Sequence, residues 1–582
     1  GATGGPIRDR PLPSNLADLL TEQALHRPEA IAIRGPDRSW TFLELERLTW
    51  RCTALLADHG VQAGDTVALA FEDEAAGLVA LLATARRGAT VCWIPKAPTV
   101  LQAELIADAH ARVLLCDCPG PAGTGAGLPC LNPDLSPPAN AVPDPPLALR
   151  AAAPTAPWMV ITGSGSTGKP KKIPISHRQF LAQQRIYNTA LSTSPADVVA
   201  CLLPLDSVVK RERLLDALLT GARVALSPVQ LTDPIGWLRQ SAVSMLWTVV
   251  VQAEQLLSAP GAGTPGALPS LRALIVGSST VSVPLRKRIL SALTPALHVY
   301  YGMNEVGLVA LAGPKDLLAS AHSVGRPAPE VVVEIVDDRD RPLPAGQIGR
   351  VRLRSPGAAN TYLDDDAASR RAFRQGWFYP GDLGRLDPDG RLDFCGRADQ
   401  MMILNGINIY PEEIDRTVLA CPGVADAATI PLPHPVHQDI PVCAVALAPG
   451  VFLKPEQIMR HARDRLGSRC PRAVVLLDRI PRNAQGKLIR AELRQQLLSR
   501  LQPARTQGIA QGSPAAGPSR NLTFDLMAHA ASTPDATALT FGQERLSYRA
   551  VDDAVRRFSQ HLHEHGIRAG DVLGLTVSDE LT

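Results

Sequence analysis

Residues 59–65 read HGVQAGD, and residues 565–571 read HGIRAGD. The same spacing joins Asn15 to Asn521, Pro28 to Pro534, Gly60 to Gly566 and Asp65 to Asp571, each pair 506 apart (521 − 15, 534 − 28, 566 − 60, 571 − 65). The stretches NLADLLTEQALHRPEAIAI from Asn15 and NLTFDLMAHAASTPDATAL from Asn521 align along it without a gap. Solenoid repeats recur every ~20–50 residues, so this period belongs to whole domains. The chain reads as one domain-scale copy followed by the opening of a second, within which the sequence ends. Between them QPARTQGIAQGSPAAGPSR (502–520) is rich in Gly, Pro, Ser and Ala and reads as a linker.

Within the first copy, strand-like and helix-like segments alternate. VALAF (67–71), AAGLVALLATARRGA (75–89) and TVCWIP (90–95) are one example, and such alternation implies mostly parallel sheets under helices. Around 331–395 the texture changes to short strands and turns, among them DPDG (387–390), whose residues suit a hairpin. From about 400 a smaller segment runs to RAELRQQLLSRL (490–501). The predicted class is α/β: a large N-terminal region of several subdomains with mostly parallel sheets plus a β-rich part, then a small C-terminal α+β domain. The expected divisions are 15–398, 399–501, the linker 502–520, and 521–582.

Charge and hydropathy exclude several classes. Lys and Arg number 59 against 56 Asp and Glu, a net +3, so no nucleic-acid footprint appears. No apolar run approaches the roughly 20 residues of a membrane helix, and GATGGPIRDRPLPSN at the start has no apolar signal core. A cytoplasmic protein without nucleic-acid or membrane partners is expected. The 10 cysteines include no CxxC pair. Cys116, Cys118 and Cys130 match no zinc spacing, and isolated reduced thiols are expected.

ITGSGSTGKPKK (161–172) nearly spells the phosphate loop G-x-x-x-x-G-K-[ST], but Pro170 stands where the Mg²⁺-binding hydroxyl belongs. Pro170 also discourages the helix that such a loop must enter. A different phosphate loop fits better. Ser164, Ser166 and Thr167 supply hydroxyls, Gly165 and Gly168 admit a polyanion to the backbone, and Lys169, Lys171 and Lys172 add charge. WMVI (158–161) reads as a buried strand just before it, which puts the loop at a strand end, where α/β sheets bind ligands. A Gly/Ser linker is the plain alternative.

Five motifs in order then carry a resemblance. SGSTGKPK (164–171), YGMNE (301–305), GWFYPGDLG (376–384), GRADQMMILNGINIYPEEI (396–414) and PRNAQGKLIR (481–490) together resemble those of the adenylate-forming superfamily, across roughly residues 15–500. That superfamily includes acyl-CoA synthetases, luciferases and the adenylation domains of nonribosomal peptide synthetases. The resemblance implies ATP-dependent activation of a small carboxylic acid as its acyl-adenylate, release of pyrophosphate, then transfer to a phosphopantetheine thiol. It implies that Ser164, Gly165, Ser166, Thr167, Gly168 and Lys171 hold phosphates and that Tyr301, Gly302, Met303 and Asn304 border the nucleotide. Glu305 would ligate Mg²⁺, Asp382 would take the ribose hydroxyls, and Arg397 would contact ribose or phosphate. Lys487, Thr167 and Glu305 would be catalytic. Asp399 would be the hinge of a mobile small domain that withdraws Lys487 after adenylation and brings 405–411 to the thiol's tunnel. Departures are Gly163 for the usual Thr or Ser, Lys172 for Gly, Asn304 for Thr, and the absence of a basic residue in QMMIL (400–404).

CLLPLDSVVKRERLLDALLTGARVAL (201–226) resembles the wall of the acid pocket. Asp206 stands near the place where amino-acid-activating relatives hold the substrate ammonium. Alternatively, Asp206 or Ser207 caps the helix beginning near Val208. Lys210, one turn on, could neutralise Asp206, and a hydroxy, keto or dicarboxylic acid would then fit better than an amino acid. Gly277 and Ser278 are expected to form another wall, with Gly277 leaving room. The leading expectation is an adenylation domain loading a carrier protein that lies downstream or on another chain, because the chain starts a second copy. A free-standing acyl-CoA ligase and a non-catalytic nucleotide-binding scaffold are the alternatives.

Overall fold

A computed structural model describes residues 13–96, 99–117, 128–133, 135–136, 153–163, 171–263, 266–279, 281–320, 323–404, 407–434, 438–483, 486–501, 523–541 and 544–566. It divides into two compact units, Gly1–Gln502 and Pro503–Thr582.

In the first unit the alternating segments build two large sheets. One has nine strands among the described residues, in the order Arg326–Pro327, Gly307–Ala312, Leu297–Met303, Ala273–Gly277, Met245–Val249, Val198–Cys201, Arg223–Ala225, Ile31–Arg34 and Ser39–Thr41. Its interior pairs are parallel, and the pairs at both edges are antiparallel. The other has six strands and is parallel except where Pro157–Gly163 meets Lys171–Ser176. That antiparallel pair matters for the loop at 164–170, which itself lies outside the described residues. The loop joins two strands of a hairpin instead of entering a helix, in line with the reading that it is not the nucleotide loop it nearly spells.

Helices cover these sheets for local reasons. Glu74–Arg86 is apolar on every side, and it is buried along nearly its whole length. Thr41 and Ser176 open their helices with reciprocal capping bonds to Glu44 and Gln179. Val208–Thr220 ends at Gly221, whose φ of 84° favours glycine. The β-rich part is a six-stranded antiparallel sheet spanning Val332–Val336 to Leu392–Arg397. Its DPDG turn closes with Gly390 N–H on the Asp387 carbonyl at 2.9 Å. The C-terminal strands Val424–His434, Gln438–Leu447 and Ala473–Leu476 form a sheet buried on both faces. Cys443 and Val445 pack with Ile414 and Ile458 on one side, and Val442 and Ala444 pack with Leu493 and Leu497 on the other.

The second unit repeats the start of the first. Helix Tyr548–Glu564 stands 506 residues after Phe42–Asp58, and both have 17 residues. The hairpins share one register, irregularity included. Ile31 pairs with Thr41, Ile33 with Trp40 and Arg34 with Ser39, as Thr537 pairs with Ser547, Leu539 with Leu546 and Thr540 with Arg545.

One expectation fails here. Cys116 and Cys130 are not isolated thiols, because their strands pair in parallel and bring the Sγ atoms to 2.7 Å. Cys118 lies outside the described residues. Among the described residues no helix is long and apolar enough to cross a membrane.

Candidate active site

The hairpin Leu297–Met303/Gly307–Ala312 places the YGMNE motif at the end of the nine-stranded sheet. Gly302 is required by the close approach of its partner strand: a Cβ there would stand 2.6 Å from the Gly307 carbonyl oxygen. Met303 ends the strand, and Asn304 and Glu305 form the turn. Glu305 Oε1 accepts a 2.9 Å hydrogen bond from the Tyr362 hydroxyl. Burial and the Glu305 carboxylate push that phenol well up, so it stays a donor. Lys171 Nζ, just after the segment 164–170, lies 4.6 Å from the centre of the same ring. Lys172, the departure from the family's Gly, is held by Asp108 at 2.8 Å and Asp364 at 3.2 Å.

A second cluster is built by strand register. Asp382 stands directly opposite Arg397, and Arg397 Nη1 reaches Asp382 Oδ1 at 3.1 Å while Nε reaches Asp399 Oδ1 at 3.3 Å. The Tyr301 hydroxyl donates to Asp382 Oδ2. Burial pushes the Asp382 carboxyl up, while Arg397 and Tyr301 pull it back. Burial and the neighbouring carboxylate push the Tyr301 hydroxyl well up.

The loop bearing Lys487 is tightly tied. Lys487 N–H donates to Asn483 Oδ1 at 2.9 Å, Asn483 N–H donates to the Lys487 carbonyl at 2.9 Å, and Arg482 is clamped by both Asp426 oxygens. Gly486, at φ 76°, faces the large region: a Cβ there would lie 3.5 Å from Val251 and 3.7 Å from the Ser279 hydroxyl. Ser279 follows strand Ala273–Gly277, and Val251 follows strand Met245–Val249. The lysine loop therefore docks at the carboxyl ends of two central parallel strands.

The AMP-binding enzyme family model matches residues 20–363 and again 526–580, and the model of that family's C-terminal domain matches 413–487. The chain belongs to the AMP-binding enzyme family. Among relatives, a 3-[(3aS,4S,7aS)-7a-methyl-1,5-dioxo-octahydro-1H-inden-4-yl]propanoyl:CoA ligase of Mycobacterium tuberculosis is 30% identical over 84% of this chain and 99% of its own. The indoleacetate–CoA ligase of Aromatoleum aromaticum is 28% identical over 82% of this chain and 98% of its own. The ATP-bound crystal structure of MatB from Rhodopseudomonas palustris superposes with a TM-score of 0.76 at 24% identity, covering 83% of this chain and 99% of that one. This AMP-binding enzyme is an adenylate-forming ligase that activates a carboxylic acid.

Several pocket expectations for this AMP-binding enzyme are corrected. Lys210 does not neutralise Asp206. It turns the other way, to an ion pair with Glu74 in the first turn of the buried helix Glu74–Arg86, and Lys210 is almost wholly buried. Asp206 accepts from Trp93 Nε1 at 3.0 Å on one oxygen and from Lys96 N–H at 2.9 Å on the other. Neither Asp206 nor Ser207 caps the helix: Ser207 takes the N-cap position without a side-chain bond. Gly277 leaves no room for the acid, because a Cβ there would fall 2.2 Å from the Tyr300 ring. The space belongs to Tyr300, whose hydroxyl lies 3.3 Å from Ser278 Oγ and whose ring meets Trp247 edge-on at 5.5 Å. Ser278 itself adopts φ 67°, a conformation that is costly for a side-chain-bearing residue and found most at functional sites.

Ser164, Gly165, Ser166, Thr167 and Gly168 lie outside the described residues. Tyr362, Trp93, Tyr300 and Glu74 were not singled out from sequence. Tyr300 adjoins a motif and could have been, whereas Glu74 and Lys210 are 136 residues apart with no spacing code between them.

Proposed function

We propose that this enzyme joins a small carboxylic acid without an α-ammonium group to AMP, and passes the acyl group to a phosphopantetheine thiol. The docked Lys487 loop carries the first half of this reading. It sets Gly486, the neighbour of Lys487, against the strand ends where ligands of α/β sheets bind, and the reaction must bring two anions together there. An acid oxygen attacks the α-phosphorus of ATP, the bond to the β-phosphate breaks, and pyrophosphate leaves while Lys487 offsets the growing charge. Ser164, Gly165, Ser166, Thr167 and Gly168 hold the outer phosphates, with Lys171 at their exit. Asp382, oriented by Tyr301 and Arg397, takes the ribose hydroxyls, and Gly302, Met303 and Asn304 border the base.

The donor set fits Mg²⁺. That ion uses one or two carboxylates beside substrate phosphates and water, and no cluster of three acidic, His or Cys ligands exists among the described residues. Glu305, with one oxygen held by Tyr362, would be the ligand, and the metal would neutralise phosphate charge. In the second half the thiol's sulfur attacks the acyl carbon and AMP leaves. Residues 15–398 and 399–501 act as fixed and moving parts, with Asp399 as the hinge.

The acid class rests on what surrounds Asp206 and Gly277. Each Asp206 oxygen already accepts one protein hydrogen bond, which makes it a poorer partner for an ammonium, and Tyr300 occupies the space above Gly277, so hydroxy, keto, dicarboxylic or short acyl acids fit better. Coenzyme A and a carrier protein present the same thiol. The named relatives favour coenzyme A, and the second copy after 502–520 favours a carrier downstream or on another chain.

Pyrophosphate exchange over a panel of amino, hydroxy, keto and dicarboxylic acids tests the acid class, and preference for an amino acid would overturn it. Lys487→Ala is expected to slow adenylate formation by about 10²–10³ while sparing thioester formation from supplied acyl-adenylate. Equal losses in both half-reactions would refute the assigned role. Parallel reactions with coenzyme A and with a phosphopantetheinylated carrier protein identify the acceptor.

A further inference from the structure

The β-rich part carries a pocket that neither the nucleotide nor the acid explains. Arg350, Arg370, Arg371 and Arg374, with Ala367, line an open cavity of about 560 Å³. Three elements converge to build it. Helix Asp366–Ala372 presents Ala367, Arg370 and Arg371, which share one face at i, i+3 and i+4. Strand Gly349–Arg354 contributes Arg350, and Phe373–Arg374 contributes Arg374.

Four guanidinium groups in one cavity repel each other unless anions sit among them. The protein supplies one close carboxylate. Asp340 lies 3.2 Å from Arg350 and 3.6 Å from Arg374. Asp338 stands 3.7 Å from Arg350 Nε, too far for a hydrogen bond, and is fully exposed, so water screens it. The side chains of Arg370 and Arg371 have no ion pair or hydrogen bond among the described residues. The Nε atoms of Arg350 and Arg374 are buried without an acceptor, although stacking on Tyr379 at 3.9 Å fixes the Arg374 plane. Basic residues in the last turn of a helix complement its dipole, which would account for Arg370 and Arg371 alone. It leaves the two buried donors, on strands that flank Trp377–Phe378 in the sheet, unexplained.

We propose that this cavity is a second anion site, separate from the ATP site, which takes a small molecule bearing a diphosphate or a phosphate ester. Arginine forks bond phosphate oxygens in pairs, and a phosphate group carries roughly −1.5 to −2, so one or two such groups match the uncompensated charge. Free pyrophosphate, a nucleotide and the phosphorylated end of coenzyme A share this chemistry.

Equilibrium dialysis of the full chain with labelled inorganic pyrophosphate tests the proposal. The expected result is two sites per chain. Arg370→Ala/Arg371→Ala weakens one of them at least tenfold and leaves pyrophosphate-exchange activity intact, which also shows that the variant is folded. Arg370→Lys/Arg371→Lys keeps the charge but not the fork, and falls between. Competition by ATP or by coenzyme A for the site lost in the alanine variant distinguishes the sources. A single site in the unaltered protein, or two undiminished sites in the alanine variant, overturns the proposal.

Discussion

Tyr362 touches both ends of the proposed phosphate site: its hydroxyl donates to Glu305 and its ring lies under the Lys171 ammonium. Tyr362→Phe keeps the ring and its packing on Phe373 but frees the carboxylate. A hydrogen bond to a charged group is worth about 1.5–3 kcal/mol, so pyrophosphate exchange should fall about tenfold or more at limiting Mg²⁺ and recover partly as Mg²⁺ rises. An unchanged Mg²⁺ dependence would mean that the hydroxyl does not position Glu305. Glu305, Asp382 and Lys487 could be picked out in the sequence because each stands at a fixed place in a short motif. Tyr362 could not, since its contact with Glu305 spans 57 residues and arises only when a separate segment folds across the hairpin turn.

Elements were more legible than their faces. The strands around 67–71, 90–95 and 158–161, the helix from Val208 and the DPDG hairpin all follow from periodicity and turn chemistry. Hidden was the burial of Lys210, Arg211, Glu212, Arg213 and Asp216 on one helix, because a charged run ordinarily faces water. Arg213 pairs with Glu212 and Asp216 on its own helix, and the other partners come from elsewhere: Glu74 for Lys210, the Leu205 carbonyl for Arg211, and the Tyr187 ring for Arg213. The role of Gly277 was hidden for the same reason, since its neighbour lies on the adjacent strand. Gly277→Ala forces the Tyr300 ring to shift and should cost about 1–3 kcal/mol, read as a lower urea midpoint. In a Tyr300→Ala background the same change should cost little, and equal costs in both backgrounds would show that Tyr300 is not what the glycine accommodates.

At the scale of the molecule, His177 ties the chain start to the six-stranded sheet: its Nδ1 accepts from the Leu16 N–H at 3.3 Å. Burial pushes this imidazole down to about 4, against about 6.5 when unfolded. The unfolded chain therefore binds the proton first. The neutral ring's contribution is intact above about pH 6.5 and is lost progressively down to about pH 4, by up to about 3 kcal/mol. His177→Gln should flatten the stability profile across that window in urea titrations, and an unchanged slope would assign the acid sensitivity to other groups. The second unit, by contrast, should be dispensable. Residues 521–582 contain no counterpart of the phosphate loop, Glu305 or Lys487, so a chain ending at Gly508 should keep the full rate of pyrophosphate exchange. Loss of exchange in a folded shortened chain would make the tail a working part of the first copy. The matched hairpins have one more consequence. In the first copy Ile33 pairs beside Val224 on strand Arg223–Ala225, and Leu539 occupies the equivalent place in a hairpin of the same register. The second hairpin thus matches the one that docks on the edge of Arg223–Ala225 and can act as its decoy. Synthesis from the N-terminus resolves the rivalry, because the first hairpin and its edge emerge together long before the decoy exists, whereas refolding from denaturant sets the two in competition.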